Sequence, residues 1–238
     1  MHEELNKPNR PWLLVVAAKT EAIAVLRGVE SDGMPPPEWR PTCIHEGLDL
    51  VVTGVGKANA AAGTALALCS RTYSAVVNLG IAGALPHDAA LSIGDTVAAT
   101  RSVYADEGVQ LPSGQFVGCS NMGFPLGPFD DTGVPASALL LDRFRSHTMH
   151  LAPVATVSTC SGTNALALSV YRRTNAAAEA MEGAAVGQVC ARLGVAFIEL
   201  RVVSNTTGDR DKQVWDIQGA FSGISRLASV IARSCQSV

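Results

Sequence analysis

Short, continuous apolar runs recur along this chain, most of them with a segment of helical spacing behind them. Leu13 to Ala18, Leu48 to Val52, Ala75 to Leu79, Thr96 to Ala99, Val154 to Ser158 and Val195 to Val203 are the runs. The stronger ones are rich in Val, Leu, Ile and Ala and apolar at nearly every position, which suits strands buried on both faces of a parallel sheet. Glu21 to Arg27, Ala58 to Cys69, Asn164 to Arg172, Glu182 to Leu193 and Ile217 to Ala232 take helical spacing, and Gly194 ends the fourth of them. Strands alternating with helices predict an α/β fold, a mostly parallel sheet covered on both faces.

The breaks between these segments are also legible. Ser31 to Pro41, with Pro35-Pro36-Pro37, reads as a loop, and Gly80 to Ala84 as a turn. Tyr104 to Val134 is rich in Gly and Pro with little periodicity, so a long ordered loop or lid is expected there. No repeat, linker or composition break divides the chain. One domain over residues 1–238 is expected, with residues 1–10 as a flexible N-terminus.

Charge and composition exclude several classes of function. Hydrophobic residues make up 47% and charged residues 16%, too apolar a mix for a disordered chain. The net charge of −3 and the absence of a Lys/Arg cluster argue against nucleic acid or an anionic membrane as partner. The run Trp12 to Ala18 is far short of the ~20 residues of a spanning helix, and neither a basic leader nor a cleavage site flanks it. The six cysteines are scattered without a CxxC pair, as free thiols in the cytoplasm would be.

Two familiar motifs fail on inspection. In Gly54-Val55-Gly56-Lys57 a Walker loop would have Gly where Val51 stands and Ser or Thr where Ala58 stands. A dinucleotide fingerprint would have Gly in place of Asn59. What remains is either a tight turn alone or a turn that aims backbone N–H groups at a small anion or hydroxyl. His147 and His150 lack accompanying ligands, so no metal is expected, and no Gly-x-Ser-x-Gly elbow is present.

Polar residues in apolar surroundings mark three strand ends: Glu21, the pair Met181-Glu182, and Ser204-Asn205 with Gly208-Asp209-Arg210-Asp211 and Trp215 beyond. Ligands of open α/β folds bind at such ends. Singly each has a plain structural reading. Glu21 suits a helix N-terminus, Glu182 a cap or first turn, Asn205 an Asx-turn, and Asp209 and Asp211 a salt-bridged turn around Arg210.

Together, and in this order, these residues resemble the nucleoside phosphorylase/nucleosidase family. The likeness runs from Val15 to about Ala220 through Gly54-Val55-Gly56-Lys57, Asn78 to Ala84, Gly94-Asp95, Met181 to Ala185 and Arg201 to Asn205. Gly80 to Leu85, Tyr104 to Gly108, Met122 to Pro125, Ser204 to Asp211 and Trp215 are similar to the futalosine hydrolase branch, nucleosidases of an alternative menaquinone pathway. The resemblance implies a three-layer α/β/α sandwich with a mixed, mostly parallel central sheet. It implies hydrolysis of a purine nucleoside, futalosine, to hypoxanthine and dehypoxanthine futalosine, without metal or organic cofactor. It implies that Glu21 activates water, that Glu182 meets the ribose hydroxyls and Met181 the sugar face, and that Asn205 meets the purine edge. Gly80, Ile81, Ala82, Gly83 and Trp215 would complete the binding site. A homodimer or higher homo-oligomer, joined through the 104–134 loop, would follow as well.

Physics bears independently on Asn205. Relatives acting on adenine nucleosides carry Asp there; a 6-oxopurine offers acceptors at O6 and N7, to which an amide can donate. An unpaired buried polar group costs about 1–3 kcal/mol, so hypoxanthine is favoured over adenine. Near Ser161-Gly162-Thr163 the chain lacks the aromatic that stacks the base in those relatives, leaving Phe124, Phe129 or Trp215 to replace it. Competing readings are a 6-oxopurine nucleoside phosphorylase, a methylthioadenosine/S-adenosylhomocysteine nucleosidase, and a noncatalytic nucleoside-binding protein. A phosphorylase needs cations for phosphate, and Lys19 is the only one near Val15 to Glu21 and the Gly80 turn.

Overall fold

The computed structural model describes residues 10–86, 91–129 and 133–236. The flexible terminus expected over residues 1–10 falls, but for Arg10, outside them. The first half of the chain forms β1 (Trp12–Val16), α1 (Lys19–Gly28), β2 (Thr42–His45), β3 (Leu48–Val52), α2 (Lys57–Ser70), β4 (Ala75–Ala84) and β5 (Thr96–Tyr104). Then come β6 (Gly108–Gln110), β7 (Phe116–Gly118), β8 (Gly133–Pro135), α3 (Ala138–Phe144), β9 (His150–Thr156) and α4 (Asn164–Thr174). The chain closes with β10 (Ala178–Ala180), α5 (Gly183–Leu193), β11 (Ala196–Thr206) and α6 (Ile217–Cys235).

The large sheet has the order β10-β9-β5-β11-β4-β1-β3-β2, with β8 added beside β5. Its pairings along β3-β1-β4-β11 are parallel, whereas β11–β5, β2–β3 and β10–β4 are antiparallel. Successive residues of β1 face opposite layers, and both layers are apolar. Trp12, Leu14 and Val16 pack with Val25 of α1 and Ile224 and Leu227 of α6. Leu13 and Val15 pack with Ala60 and Ala67 of α2 and Val186 of α5. That is the physical reason the run is hydrophobic at every position, and it yields the expected α/β/α sandwich.

Three features depart from the sequence expectation. Gly80 to Ala84 is no turn but the second half of β4, because its ladder with β11 continues from Gly80↔Arg201 to Ala84↔Thr206. The 104–134 segment is no bare loop: β6 and β7 form an antiparallel hairpin, Ser120–Met122 a 3-10 turn, and β8 pairs with β5. Finally, β10 pairs with β9 on one side and β4 on the other. The strands β10, β9, β5, β11 and β4 therefore close into a ring, while β1, β3 and β2 extend as an open flank. Strands as short as β10 leave no periodic signal, which is why this closure is invisible in the sequence.

Candidate active site

A cavity of about 220 Å³ opens where β1, β4, β10 and β11 end, among Glu21, Ile81, Met181, Glu182, Arg201 and Asn205. Ala82, Gly83 and Trp215 also line it. Glu21 reaches it from the first turn of α1. Its Oε2 accepts the Ala17 and Ala18 N–H groups at 3.0 Å each, and its Oε1 accepts the Ile81 N–H at 3.0 Å. The helix-N-terminus reading of Glu21 is thus correct as far as it goes, since one carboxylate satisfies donors that α1 would leave open. Burial, and then the nearby Glu182 charge, push its pKa up, against the pull of Arg201 and the backbone donors.

Glu182 stands at the N-cap position of α5 but does not cap it. Its Oε1 instead accepts the Gly56 N–H at 3.0 Å, and its Oε2 lies 3.3 Å from Arg201 Nη2. The glycine turn Gly54–Gly56, both glycines at positive φ, does aim an N–H at an anion. That anion is the protein's own carboxylate.

Arg201 is the residue whose role sequence reasoning missed. Its Nε donates to Glu199 at 2.7 Å, Nη2 to Asn78 Oδ1 at 2.7 Å, and Nη1 to the Ile81 carbonyl at 3.3 Å. Glu199 in turn accepts from the Ser102 hydroxyl. Burial opposes the charge of Arg201, but Glu199, Glu182 and Glu21 outweigh it and hold its pKa above the ordinary value. Burial likewise pushes Glu199 up. The signal was available: charged residues inside the apolar strand Phe197 to Val203 are almost never fully buried unless paired. Lys19 is therefore not the only cation at hand.

Gly80 does not line the cavity. It pairs with Arg201 across β4 and β11, and a Cβ there would meet Arg201 Nη1 at 2.4 Å and Glu21 Oε1 at 2.8 Å. Its part is to let the guanidinium and the carboxylate approach the strand. Asn205 is held by its own neighbours. The Ser204 hydroxyl donates to its Oδ1 at 2.9 Å, and its Nδ2 donates to the Thr206 carbonyl at 2.8 Å. One amide hydrogen is thereby engaged, which in this arrangement leaves Asn205 one N–H rather than the two inferred from its side-chain chemistry.

Of the aromatic candidates, Trp215 lines the cavity, bridging Asn205 through the backbone and lying under Arg210 at 4.7 Å. Phe124 is exposed, and Phe129 packs against the core layer of α2 and α5. Phe221, which the sequence did not single out, lines the same cavity. Asp209 forms the expected turn, accepting from Asn164 and Lys212. His150 pairs with Asp95 at 2.9 Å, and among the described residues no His/Cys/Asp/Glu group could hold a metal.

Comparison with known proteins names the family. Residues 46–235 match the family described as the Phosphorylase superfamily. The chain belongs to that superfamily. Within it, the chain is 37% identical over 222 residues to the futalosine hydrolase of Acidothermus cellulolyticus, covering 88% of this chain and 85% of that protein. It is 34% identical over 228 residues to the futalosine hydrolase of Streptomyces coelicolor, covering 92% and 94%. The solved 5'-methylthioadenosine/S-adenosylhomocysteine nucleosidase of Colwellia psychrerythraea, in complex with adenine, superposes with a TM-score of 0.73 at 21% identity. It covers 94% of this chain and 95% of that one, and so shares the phosphorylase-superfamily fold.

Proposed function

We propose that this chain hydrolyses the N-ribosidic bond of futalosine, releasing hypoxanthine and dehypoxanthine futalosine for menaquinone biosynthesis. The observation that carries this reading is the amide of Asn205 on the cavity wall, at a position where the family resemblance implies a carboxylate in nucleosidases for adenine. Its free N–H suits the acceptor edge formed by O6 and N7.

The reaction follows from the charges around the cavity. As the C1'–N9 bond breaks, positive charge develops on the ribose and negative charge on the base. Glu21, its pKa raised by burial, takes a proton from water while the water oxygen bonds to C1'. Glu182 accepts from the ribose hydroxyls, and its charge favours the oxocarbenium-like sugar. Met181 covers the apolar sugar face, Trp215 the base, and Asn205 donates to the purine as it gains charge. The purine anion takes a proton from a second water, and the hydroxide so formed is neutralised by the proton that Glu21 took, which restores the carboxylate; the scheme calls on no metal or organic cofactor.

Hydrolysis is favoured over phosphorolysis by the same electrostatics. Arg201 is the cation in the cavity wall, but three carboxylates, Glu21, Glu182 and Glu199, hold it. A phosphate anion would meet net negative charge there. Hypoxanthine release from futalosine, followed by chromatography with and without phosphate, tests the reading. Equal rates are expected; no release, or phosphate-dependent release from inosine, overturns it.

The assembly belongs to the same proposal. Phe124, with 67% of its surface exposed on the 104–134 segment, is the apolar side chain we assign to a homodimer contact. A dimer mass by light scattering that Phe124→Asp reduces to a monomer is the expected result; a monomeric native protein rejects it. The six free thiols suit the cytoplasm.

A further inference from the structure

Four glutamates are buried among the described residues: Glu21, Glu179, Glu182 and Glu199. The first three line the cavity. Glu179 stands on β10 opposite Gly83, itself opposite Asn205 on β11, and accepts from the backbone N–H and hydroxyl of Ser161. Glu199 is different. It is not among the lining residues, and none of its surface is exposed, yet its partner Arg201 reaches the cavity wall.

The geometry ties Glu199 to the water-activating end of the cavity. Glu199 and Arg201 stand two residues apart on β11 and so share a face. The guanidinium lies over Gly80, where a Cβ would stand 2.4 Å from Nη1. Its nitrogens divide their tasks. Nε donates to Glu199 Oε1 at 2.7 Å, while Nη2 donates to Asn78 at 2.7 Å and to Glu182 Oε2 at 3.3 Å. Nη1 donates to the carbonyl of Ile81, whose N–H is the one that Glu21 accepts. Glu199 is itself braced. The Ser102 hydroxyl of β5 donates to its Oε2, and Gly183 at the start of α5 leaves it room, since a Cβ there would stand 2.0 Å from that oxygen. The start of a helix also favours a negative charge.

We infer that Glu199 is a positioning residue for catalysis: braced by Ser102 and the start of α5, it holds the Arg201 guanidinium in line with Glu21 and Glu182 and offsets its charge, which leaves Glu21 free to take a proton from water. This rests on the cavity's reading as a hydrolytic nucleoside site. A neutral carbonyl would satisfy Nε without the cost of burying a further charge, so the charge itself is what the position supplies. An arginine cannot shed its proton, and its charge must be offset from outside. The charged groups facing Glu199 are Arg201 and, beyond it, Glu182 and Glu21; Ser102 on β5 and Asn78 on β4 are neutral. With Glu199 neutral, Arg201 would act more fully on Glu21, hold it as a carboxylate and weaken it as a base.

The titration of Glu21 in the full-length protein, followed by the carboxyl carbon signals of labelled glutamate, tests the assignment; Glu21→Gln identifies the signal. In Glu199→Gln, which keeps the shape but not the charge, the Glu21 midpoint is expected to fall by about one pH unit. The acid limb of kcat/KM for futalosine moves down with it, and kcat at the plateau falls about threefold, as for a weaker base. Glu199→Asp restores the charge on a shorter stem. Its Glu21 midpoint returns to the native value, while kcat stays below native because the guanidinium has lost its brace. An unmoved midpoint in Glu199→Gln overturns the inference, as does a midpoint in Glu199→Asp that falls as far as in Glu199→Gln. If Glu199→Gln does not fold, Glu199→Asp decides alone: a native midpoint with reduced kcat supports the inference, and a lowered midpoint rejects it. If futalosine is hydrolysed but midpoint and acid limb stay in place, the inference alone has failed. If the midpoint falls but the native protein does not hydrolyse futalosine, the reaction assigned to the site has failed and the coupling of Glu199 to Glu21 stands.

Discussion

Glu21 shows how one side chain carries a local and a tertiary role together. Its position three residues after Ala18 suits a helix N-terminus, and the carboxylate does receive the Ala17 and Ala18 N–H groups. The same carboxylate receives the Ile81 N–H from β4, sixty residues away in sequence. Glu21→Gln is expected to remove the proton acceptor and lower kcat by about 10²–10⁴-fold. It also turns an amide NH₂ towards a backbone N–H, at a cost of about 1–3 kcal/mol. Hypoxanthine release and urea denaturation of the variant measure the two effects. An active variant of native stability would remove Glu21 from the role of base. Asn205 gives a different lesson at this scale. Its donor chemistry could be read from its residue type, but the engagement of one N–H by Thr206 could not, because that depends on the backbone path of β11.

Among the elements, β11 does most to build the site. Its odd-numbered residues Glu199, Arg201 and Val203 share one face, and a bulge between Val203 and Asn205 then shifts the register against β4. Without that extra residue Asn205 would fall on the face of Arg201; with it, Asn205 joins the row of Gly83 and Glu179. Helix α5 begins hard against this strand. A Cβ on Gly183 would come within 2.0 Å of Glu199 Oε2, and Glu199 cannot retreat while Arg201 and Ser102 hold it. Gly183→Ala is therefore expected to destabilise the fold by about 1–3 kcal/mol, the usual cost of overpacking. It should also displace Glu182, the preceding residue, and raise KM. A melting temperature and KM equal to those of the native protein would show that α5 can shift without consequence. The helix itself was legible from its small-residue spacing and Gly194. The reason for Gly183, room for the buried Glu199–Arg201 pair, was not.

For the molecule as a whole, the buried acids set a pH dependence. Glu21, Glu179 and Glu199 all have pKa values raised by burial above the ordinary 4.5. Each binds its proton more tightly in the folded chain than in the unfolded one. Between 4.5 and the raised values the folded state thus holds more protons, and stability declines as pH rises through that window. Urea midpoints across pH 4.5–8 are expected to fall with pH, and to fall less steeply in Glu179→Gln, which removes one such acid. Parallel slopes for the two proteins would show that Glu179 is not protonated more readily in the folded state.

The sequence by itself determined the layered α/β architecture, most strand and helix positions, and which polar residues would gather at the strand ends. These depend on local periodicity and on the cost of burying a polar group, and both are properties of residue type and spacing. Only the tertiary structure decided that Gly80 to Ala84 is strand, that β10 closes a ring against β4, and that Arg201 lies among three carboxylates. It alone aligned Glu179, Gly83 and Asn205 in a row. Those outcomes depend on register between strands far apart in sequence, and a one-residue shift there changes which face a side chain occupies without altering the local pattern.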